Sequence, residues 1–374
     1  MLVIVHDACF RGSVTKLHAL LHLCRLRGHA LVSPFPPRGS PLSSAYAQWQ
    51  RSQGPEVTEL LRALKMRSRQ LPAGSHQIEV VAASESKWSR AQLTLDDAIS
   101  LLMAPLRLLV ENGRSDVAFL ERLVPAAYRE QLDGALRSGA LEIEHGGGLG
   151  EMKKILETRL DHREQDKPRR LRRLRTWVMF DRDADLNNPA EPSVTSSAVV
   201  ALCERDHNER GDPWPLPWLQ LGRRTIESYL PEETLELWVA RARGNETKRR
   251  RETLEALKAL RSTHPRVAWQ LDMKKGLQAN VSGEHRAQLK QARRGRKTPL
   301  PEALANHLPD DALPEFFHGL TMKQRGALAF GFGDDIAEGF HEDLDGERFI
   351  REYERGPNEQ SSAQTLVESI LTQL

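Results

Sequence analysis

The sequence predicts an α/β protein whose centre is a mainly parallel sheet flanked by helices. Three short apolar runs have the length and composition of buried strands: Leu106–Val110, Leu141–Ile143 and Thr176–Phe180. A segment with helical spacing follows each of them, and these segments are Val117–Leu136, Glu151–Leu160 and Ser196–Glu204. Strands that alternate with helices favour right-handed crossovers, and therefore parallel pairing.

Composition along the chain divides it into three parts. Residues 98–232 form this α/β core, residues 1–97 an N-terminal α/β lobe without an evident role, and residues 233–374 a largely helical, basic C-terminal lobe. In the first lobe, Leu2–Val5 and Gln77–Ala82 are β-like. We see no internal repeat in the sequence.

Helices and loops fill the remainder of the two outer lobes. Helical patterns run through Leu17–Leu23 and Val57–Leu64, whereas the Pro-, Ser- and Gly-rich segment 32–55 is typical of a loop or linker. In the C-terminal lobe, loops are expected near 297–301 and 309–314.

The overall composition is that of a water-soluble protein. Of the 374 residues, 39% are hydrophobic and 28% are charged, and no stretch approaches the roughly 20 apolar residues that span a bilayer. Cys9, Cys24 and Cys203 are too scattered for a zinc ribbon or a disulfide framework. The sequence therefore predicts a cytoplasmic protein, without a membrane segment.

The net charge of +3 conceals local concentrations of basic residues. Arginine is concentrated in segments 163–175, 241–251 and 286–297, which are either solvated helix faces or surfaces for a polyanion. Because arginine pairs with phosphate through two hydrogen bonds, nucleic acid is the predicted partner. The predicted contact residues are Arg169, Arg170, Arg172, Arg173, Arg249, Arg250, Arg293, Arg294, Arg296 and Lys297.

Acidic residues follow two of the predicted strands at the point where each strand ends. Glu111 follows Leu106–Val110, and Asp181, Asp183 and Asp185 follow Thr176–Phe180. If the two strands are neighbours, the carboxylates meet at one edge of the sheet, where α/β proteins bind ligands. Asp181 and Asp183 would share a face of an extended segment.

Clustered carboxylates repel one another unless a cation neutralises them. One or two Mg²⁺ or Mn²⁺ ions are therefore the predicted cofactor, because these ions prefer oxygen ligands. The alternative is an Asp-rich loop that merely caps the next helix.

The succession LLVENGRSDVAFL, HGGGLGEM and VMFDRDAD resembles the TOPRIM domain of topoisomerases, bacterial primases and OLD-type nucleases. That domain carries a glutamate after its first strand, a glycine-bearing turn, and a DxD after its third, and Glu111, Gly146–Gly148 and Asp181/Asp183 match them in order. The match covers roughly residues 100–232. The resemblance implies a TOPRIM-like, Rossmann-type core that binds metal through these carboxylates.

Two later segments resemble the OLD-type branch. GRRTIESYLP, residues 222–231, is similar to the Arg…Ile-Glu-x-Tyr segment of those nucleases, which implies that Glu227 is a metal ligand. LDMKKGL, residues 271–277, is similar to their late lysine motif, and Lys274 or Lys275 would stabilise charge at the phosphorus. Each also has a structural explanation, as a helix-terminal glutamate and a surface lysine pair.

One departure from the family pattern concerns the residues after Glu111. Asn112 stands before Gly113, where the family usually has glycine directly, and the next acidic residue is Asp116. Asp116 either reaches a metal ion or caps the following helix.

Among the relatives, a stand-alone nuclease fits this chain best. Its four tyrosines and its length do not suit a topoisomerase, three scattered cysteines cannot build the zinc module of a primase, and GxxxxGK[ST] is absent. The resemblance implies a metal-dependent endonuclease, with DNA favoured over RNA or tRNA, in bacterial anti-phage defence beside a separately encoded ATPase or sensor. The alternative is a non-catalytic nucleic-acid-binding or scaffold subunit. A homo-oligomer is compatible with the sequence, which leaves the oligomeric state open.

Overall fold

The computed structural model describes nine stretches of the chain, and every structural statement below concerns these residues: 1–33, 44–71, 76–160, 167–184, 191–208, 216–294, 300–313, 315–355 and 362–374. None of the helices in these stretches is long and apolar enough to cross a membrane.

The first part of the chain folds around a four-stranded parallel sheet with the strand order β2-β1-β3-β4. Its core includes Leu17, Leu20 and Trp49, and is distinct from the core of the second sheet. The elements in chain order are β1 (Leu2–Val5), α1 (Val14–Leu26), β2 (Ala30–Val32), α2 (Ala45–Arg51), α3 (Pro55–Ser68), β3 (Gln77–Val80), β4 (Gln92–Leu93) and α4 (Leu95–Met103).

The second sheet is also parallel and has the order β6-β5-β7-β8. Its central strands, β5 and β7, are mostly or fully buried, because helices cover both faces of the sheet. The elements are β5 (Leu106–Val110), α5 (Gly113–Leu123), α6 (Ala126–Arg137), β6 (Leu141–His145), α7 (Leu149–Arg159), α8 (Lys167–Leu174), β7 (Thr176–Phe180), α9 (Val194–Asn208) and β8 (Trp218–Gln220).

Both sheets therefore have the same topology. In each, the first strand of the lobe lies between the second and the third, and the fourth pairs with the third at the edge. The chain contains two parallel sheets of like order, although the sequence shows no repeat.

The last part of the described chain is helical and packs into the same core as the second sheet. Arg122 ties it to α5, because its guanidinium donates to the carbonyl oxygens of Phe340, Glu342 and Leu344. The helices are α10 (Glu232–Ala240), α11 (Asn245–Thr263), α12 (Pro265–Ala268), α13 (Gly283–Arg293), α14 (Leu300–His307), α15 (Met322–Leu328), α16 (Gly346–Glu354) and α17 (Ala363–Leu371).

The α/β prediction is confirmed, and the strands at Leu2–Val5, Leu106–Val110 and Thr176–Phe180 have the predicted bounds. The single helix expected over Val117–Leu136 is wrong. Pro125 interrupts it, because the residue before a proline is disfavoured in helical conformation, and Val124 is extended.

The other differences between the predicted and the observed secondary structure concern short helices, 3-10 turns and strands. Segment 32–55 contains the helix α2, so it is not a loop throughout, and residues 34–43 lie outside the described part. The loop expected near 309–314 contains a short 3-10 turn at Asp310–Ala312. Of the loop expected near 297–301, residues 297–299 lie outside the described part, and Leu300 and Pro301 begin α14 and so are not in a loop. The strands β2, β4 and β8 were not predicted, because two or three residues are too few to show alternation.

Two glycines let the loop before the 3-10 turn Gly276–Asn280 pass close to another loop. Gly276 and Gly331 have positive φ values of 68° and 59°. A Cβ at Gly276 would lie 2.0 Å from the carbonyl oxygen of Leu328. The backbones then bond directly, from Phe332 N to Met273 O at 2.7 Å and from Gly333 N to Lys274 O at 3.0 Å. This crossing fixes the backbone of Lys274.

Candidate functional site

The two strands that precede the acidic residues are hydrogen-bonded neighbours. Val110 of β5 is in register with Met179 of β7, so the residues that follow each strand emerge at the same, carboxyl edge of the sheet. Glu111 and Asp181 therefore begin adjacent loops, as the argument from sequence required. We call this edge the rim.

Asp181 and Asp183 leave the strand in different conformations. The carbonyl oxygen of Asp181 accepts the hydroxyl of Ser196 at 2.9 Å, and its half-buried side chain has an unpartnered Oδ1. Asp183 has a φ of 41° and is exposed. The expected extended pair is thus not formed, because the backbone turns left-handed at Asp183, a region that aspartate tolerates better than most residues.

Glu227 reaches the same region from the 3-10 turn Ile226–Tyr229. Its side chain is 0% exposed, and its Oε2 has no hydrogen-bond partner among the described residues. Lys274 Nζ lies 2.8 Å from Glu227 Oε1, and this lysine side chain is 32% exposed. A buried carboxylate is thereby paired with a lysine that still reaches solvent.

Burial and mutual repulsion change the acidities of these groups. Burial raises the pKa of Glu111 to about 7, with further contributions from the Asp116 and Asp183 carboxylates. Burial, followed by the charges of Glu111, Asp116 and Glu227, raises the pKa of Asp181 well above its ordinary range.

Lys274 is the cation that opposes these shifts at both Glu111 and Asp181. Its own pKa is raised, because the charge and hydrogen bond of Glu227 outweigh the opposing effect of burial. One lysine cannot balance the negative charge of four carboxylates, which belong to Glu111, Asp116, Asp181 and Glu227. We call these four carboxylates and Lys274 the carboxylate cluster.

Asp116 lies in the first turn of α5, whose N-cap residue is Asn112. Its Oδ2 accepts the backbone N–H of Asn112 at 2.7 Å, and the side chain is buried. Burial raises the pKa of Asp116 to about 6, although hydrogen bonding to Asn112 opposes the shift. Asp116 therefore does not begin the helix as its cap, because Asn112 holds that position, and the electrostatic effect of Glu227 on its pKa keeps Asp116 within the cluster.

The two lysines of LDMKKGL have different surroundings. Lys274 is beside Glu227, whereas the side chain of Lys275 is exposed and its backbone N–H donates to Asp272 Oδ1 at 2.7 Å. The structure therefore brings Lys274, and not Lys275, to the carboxylate cluster. The sequence could not show which lysine reaches the cluster, because two adjacent residues differ only in the direction of their side chains.

Sequence reasoning missed Arg224 and Asp272, which connect three loops of the site. The carbonyl oxygen of Arg224 accepts the N–H of Asp183 at 2.9 Å, and its guanidinium donates to Gln270 O at 3.2 Å. The guanidinium also lies 4.0 Å from Asp272 Oδ2. Arg224 lies in GRRTIESYLP and Asp272 in LDMKKGL, so their closeness in sequence to Glu227 and Lys274 was the signal that could have identified them.

The predicted basic contacts have varied environments. Arg250 pairs with Asp335 at 2.9 Å and lies over the Trp238 ring at 4.1 Å, and Arg293 lies over the Phe330 ring at 4.5 Å. Arg249 pairs with Glu246. Arg172 and Arg294 are exposed.

Arg170 and Arg173 of α8 are half-buried. Asp185, Arg296 and Lys297 lie outside the described residues, as does the side chain of Arg169.

In donor chemistry the cluster fits a hard divalent cation. Glu111 Oε2, Asp181 Oδ1 and Glu227 Oε2 are buried oxygens without a hydrogen-bond partner in the described chain. Within the same residues, no three His, Cys, Asp or Glu side chains are positioned to hold an ion together. The oxygens are thus of the right type and on the same rim, but they are not convergent.

Comparisons with known proteins give no relative. No protein-family model matches the chain, and no curated protein or solved structure is significantly similar to it.

Asp181→Asn should stabilise the metal-free protein at alkaline pH. An acid with a raised folded-state pKa destabilises the fold increasingly as pH rises from its ordinary pKa through the raised one. Asp181 has a raised folded-state pKa, so the gain in Tm of Asp181→Asn over wild type should shrink as pH falls from that raised pKa toward about 4, the ordinary value of an aspartate. Thermal unfolding in EDTA measures it.

The matched control for that series is Glu130→Gln, which removes an exposed carboxylate from α6. Its Tm difference from wild type should be small at every pH. A pH-independent effect of Asp181→Asn would mean that the cluster does not repel.

Lys274→Met should destabilise the protein by about 2 kcal/mol at neutral pH, because it leaves the Glu227 carboxylate buried without a cation. This figure is below the full cost of breaking a buried pair, since Lys274 is partly solvated. Lys275→Met is the control and should change stability by less than about 0.5 kcal/mol. Urea unfolding measures both.

The double variant Lys274→Met/Glu227→Gln should recover part of the loss, because position 227 then carries no buried charge without a cation. Equal effects of Lys274→Met and Lys275→Met would contradict the pairing.

Proposed function

We propose that the protein is a metal-dependent nuclease that hydrolyses phosphodiester bonds of nucleic acid, with DNA favoured over RNA or tRNA. The observation that carries the proposal is the excess of carboxylates over cations at the rim. Evolution rarely retains buried like charges without a use, because each raises the free energy of the folded chain. A divalent cation would remove that cost.

The resemblance to TOPRIM domains supports the proposal through order and placement. Glu111 follows the first strand of the second sheet and Asp181 the third, and these two strands are paired. The glycine turn Gly146–Gly148 follows the second strand, on the other side of β5. This order and placement of the motif residues support a TOPRIM-like core.

Glu111 and Asp181 would hold the ion, with Asp183 and Glu227 able to join from adjacent loops. Because no three side chains converge in the described residues, the carboxylates must rotate toward one another as the ion binds. Oxygen ligation favours Mg²⁺ or Mn²⁺. Either ion, when bound, activates water and neutralises phosphate charge.

In the reaction, a water oxygen bonds to phosphorus while one bridging P–O bond breaks, which leaves a phosphate monoester and a hydroxyl. Lys274 is the residue of this chain suited to the negative charge that develops. Its Nζ is fixed by Glu227 and by the backbone crossing at Gly276, and its side chain remains accessible from solvent. A preorganised positive charge is effective here because it needs no rearrangement.

The C-terminal basic segment is the better placed of the predicted binding surfaces. Arg286 of α13 donates to Gln278 O at 3.2 Å, so this helix packs on the turn that follows Lys274. Arg294 ends the same helix and is exposed. By contrast, α8 precedes β7 and so lies at the end of the sheet opposite to Asp181.

The biological setting is a proposal from the resemblance alone. Stand-alone proteins of this type resemble effectors of bacterial anti-phage systems that act beside a separately encoded ATPase or sensor. Such a partner would supply the trigger.

A second candidate function is a non-catalytic nucleic-acid-binding or scaffold subunit. The observation in its favour is that no three side chains of the described residues are set to hold an ion. The two candidates differ in their requirement for a divalent cation.

The wild-type protein should cleave plasmid, linear DNA, single strands or tRNA with Mg²⁺ or Mn²⁺, and EDTA should stop it. Asp181→Ala and Glu111→Ala should each reduce the rate at least about 100-fold, because each removes a metal ligand. The control Glu130→Ala should cleave as wild type does. Salt-sensitive binding without cleavage under any of these conditions would favour the scaffold.

Arg294→Glu should weaken nucleic-acid binding and reduce the slope of log affinity against log salt by about 0.7–0.9, the value for one lost phosphate contact. Arg172→Glu, an exposed arginine on α8, is the comparison and should leave the slope nearly unchanged. Fluorescence anisotropy with Ca²⁺ in place of the catalytic ion measures both. The reverse ranking would move the binding surface to α8.

A further inference from the structure

His145 is the last residue of β6, directly before the glycine turn. It is in register with Val110, the residue that precedes Glu111, so the histidine emerges at the rim one strand away from the first carboxylate. The N–H of Gly148 donates to the carbonyl oxygen of Glu111 at 3.2 Å, which ties the glycine turn to the same place. The side chain of His145 is exposed.

One ring nitrogen of His145 is already used. The backbone N–H of Gly113 donates to its Nδ1 at 3.0 Å. Because Nδ1 accepts a hydrogen bond, the proton of the neutral ring must be on Nε2. The ring therefore presents an N–H donor to solvent at the rim.

The hydrogen bond from the Gly113 N–H holds the ring, and glycine at position 113 permits this close approach. A Cβ there would lie 3.3 Å from the Cβ of His145, so glycine leaves the room that the imidazole occupies. A donor held in this way loses little freedom when it binds a ligand. The adjoining α7 has no side-chain cap at its N-terminus, so its first amide groups add a favourable field for anions.

We propose that His145 binds a phosphate of the nucleic-acid substrate through Nε2–H, beside the phosphate that is cleaved. The inference rests on the proposed nuclease function and gives a substrate-binding role to the histidine of HGGGLGEM, a residue to which the resemblance assigned none. Adjacent strands are about 4.8 Å apart. A donor at the end of the strand next to β5, which Glu111 follows, can therefore contact a phosphate that flanks the reacting one. His145 would then set the path of the backbone across the rim.

Three substitutions separate this role from a structural one. In His145→Asn, the amide oxygen can replace Nδ1 as the acceptor of the Gly113 N–H, but no donor remains at the position of Nε2. In His145→Gln, the longer side chain can place an amide N–H close to that position. His145→Ala removes both functions, and His22→Gln changes an exposed histidine of α1 as a control.

The experiment measures kcat and KM for Mn²⁺-dependent cleavage of a labelled DNA, Mn²⁺ affinity by calorimetry, and Tm. His145→Asn and His145→Ala should each lower kcat/KM about 10- to 100-fold, mainly through KM, because a hydrogen bond to a charged group is lost. His145→Gln should stay within about threefold of wild type. Mn²⁺ affinity should be unchanged in all variants, and His22→Gln should match wild type.

Full activity of His145→Asn together with loss in His145→Gln would show that the ring only supports Gly113, and would overturn the proposal. Wild-type activity in all three variants would overturn it as well. A wild-type protein that neither binds Mn²⁺ nor cleaves would instead reject the nuclease function itself, and His145 would lose its proposed role with it.

Discussion

The parallel pairing of β5 with β7 is the constraint on which the candidate site depends. The two strands are buried by helices on both faces, so their polar backbone groups can be satisfied only by each other and by their outer neighbours. That requirement enforces the pairing, and burial of both faces specifies its register, in which Val110 lies opposite Met179. Once the register is fixed, Glu111 and Asp181 have to emerge together, whatever electrostatic penalty follows.

The penalty is partly offset by a residue that lies far away in the sequence. The Gly276–Gly331 crossing, where two loops touch without side chains between them, holds the backbone of Lys274, and the side chain of this lysine pairs with Glu227. Among the described residues, the buried pair leaves Oε2 of Glu227 without a partner and leaves Glu111 and Asp181 short of positive charge. The cluster is therefore held in place by the fold and is not stabilised by its own charges.

Several basic residues of the three arginine-rich segments interact with aromatic rings, carboxylates or backbone carbonyls of the same chain. Arg250 contacts Trp238 and Asp335, and Arg175, in the first basic segment, is buried and donates to the carbonyl oxygen of Ala104 at 3.1 Å. Each charge satisfied within the chain is less available for a phosphate. The surface available to a polyanion is consequently smaller than the three segments suggested, and it would depend more on exposed arginines at helix ends, such as Arg294.

The sequence by itself determined the central strands and the acids that end them. The runs LRLLV and TWVMF are apolar without interruption and are bounded by polar turns, so local pattern alone decides their bounds. Tertiary structure decided the strand order, the left-handed turn at Asp183, and the choice of Lys274 over Lys275. These features depend on contacts between segments that are distant in the chain, and periodicity within one segment contains no information about such contacts.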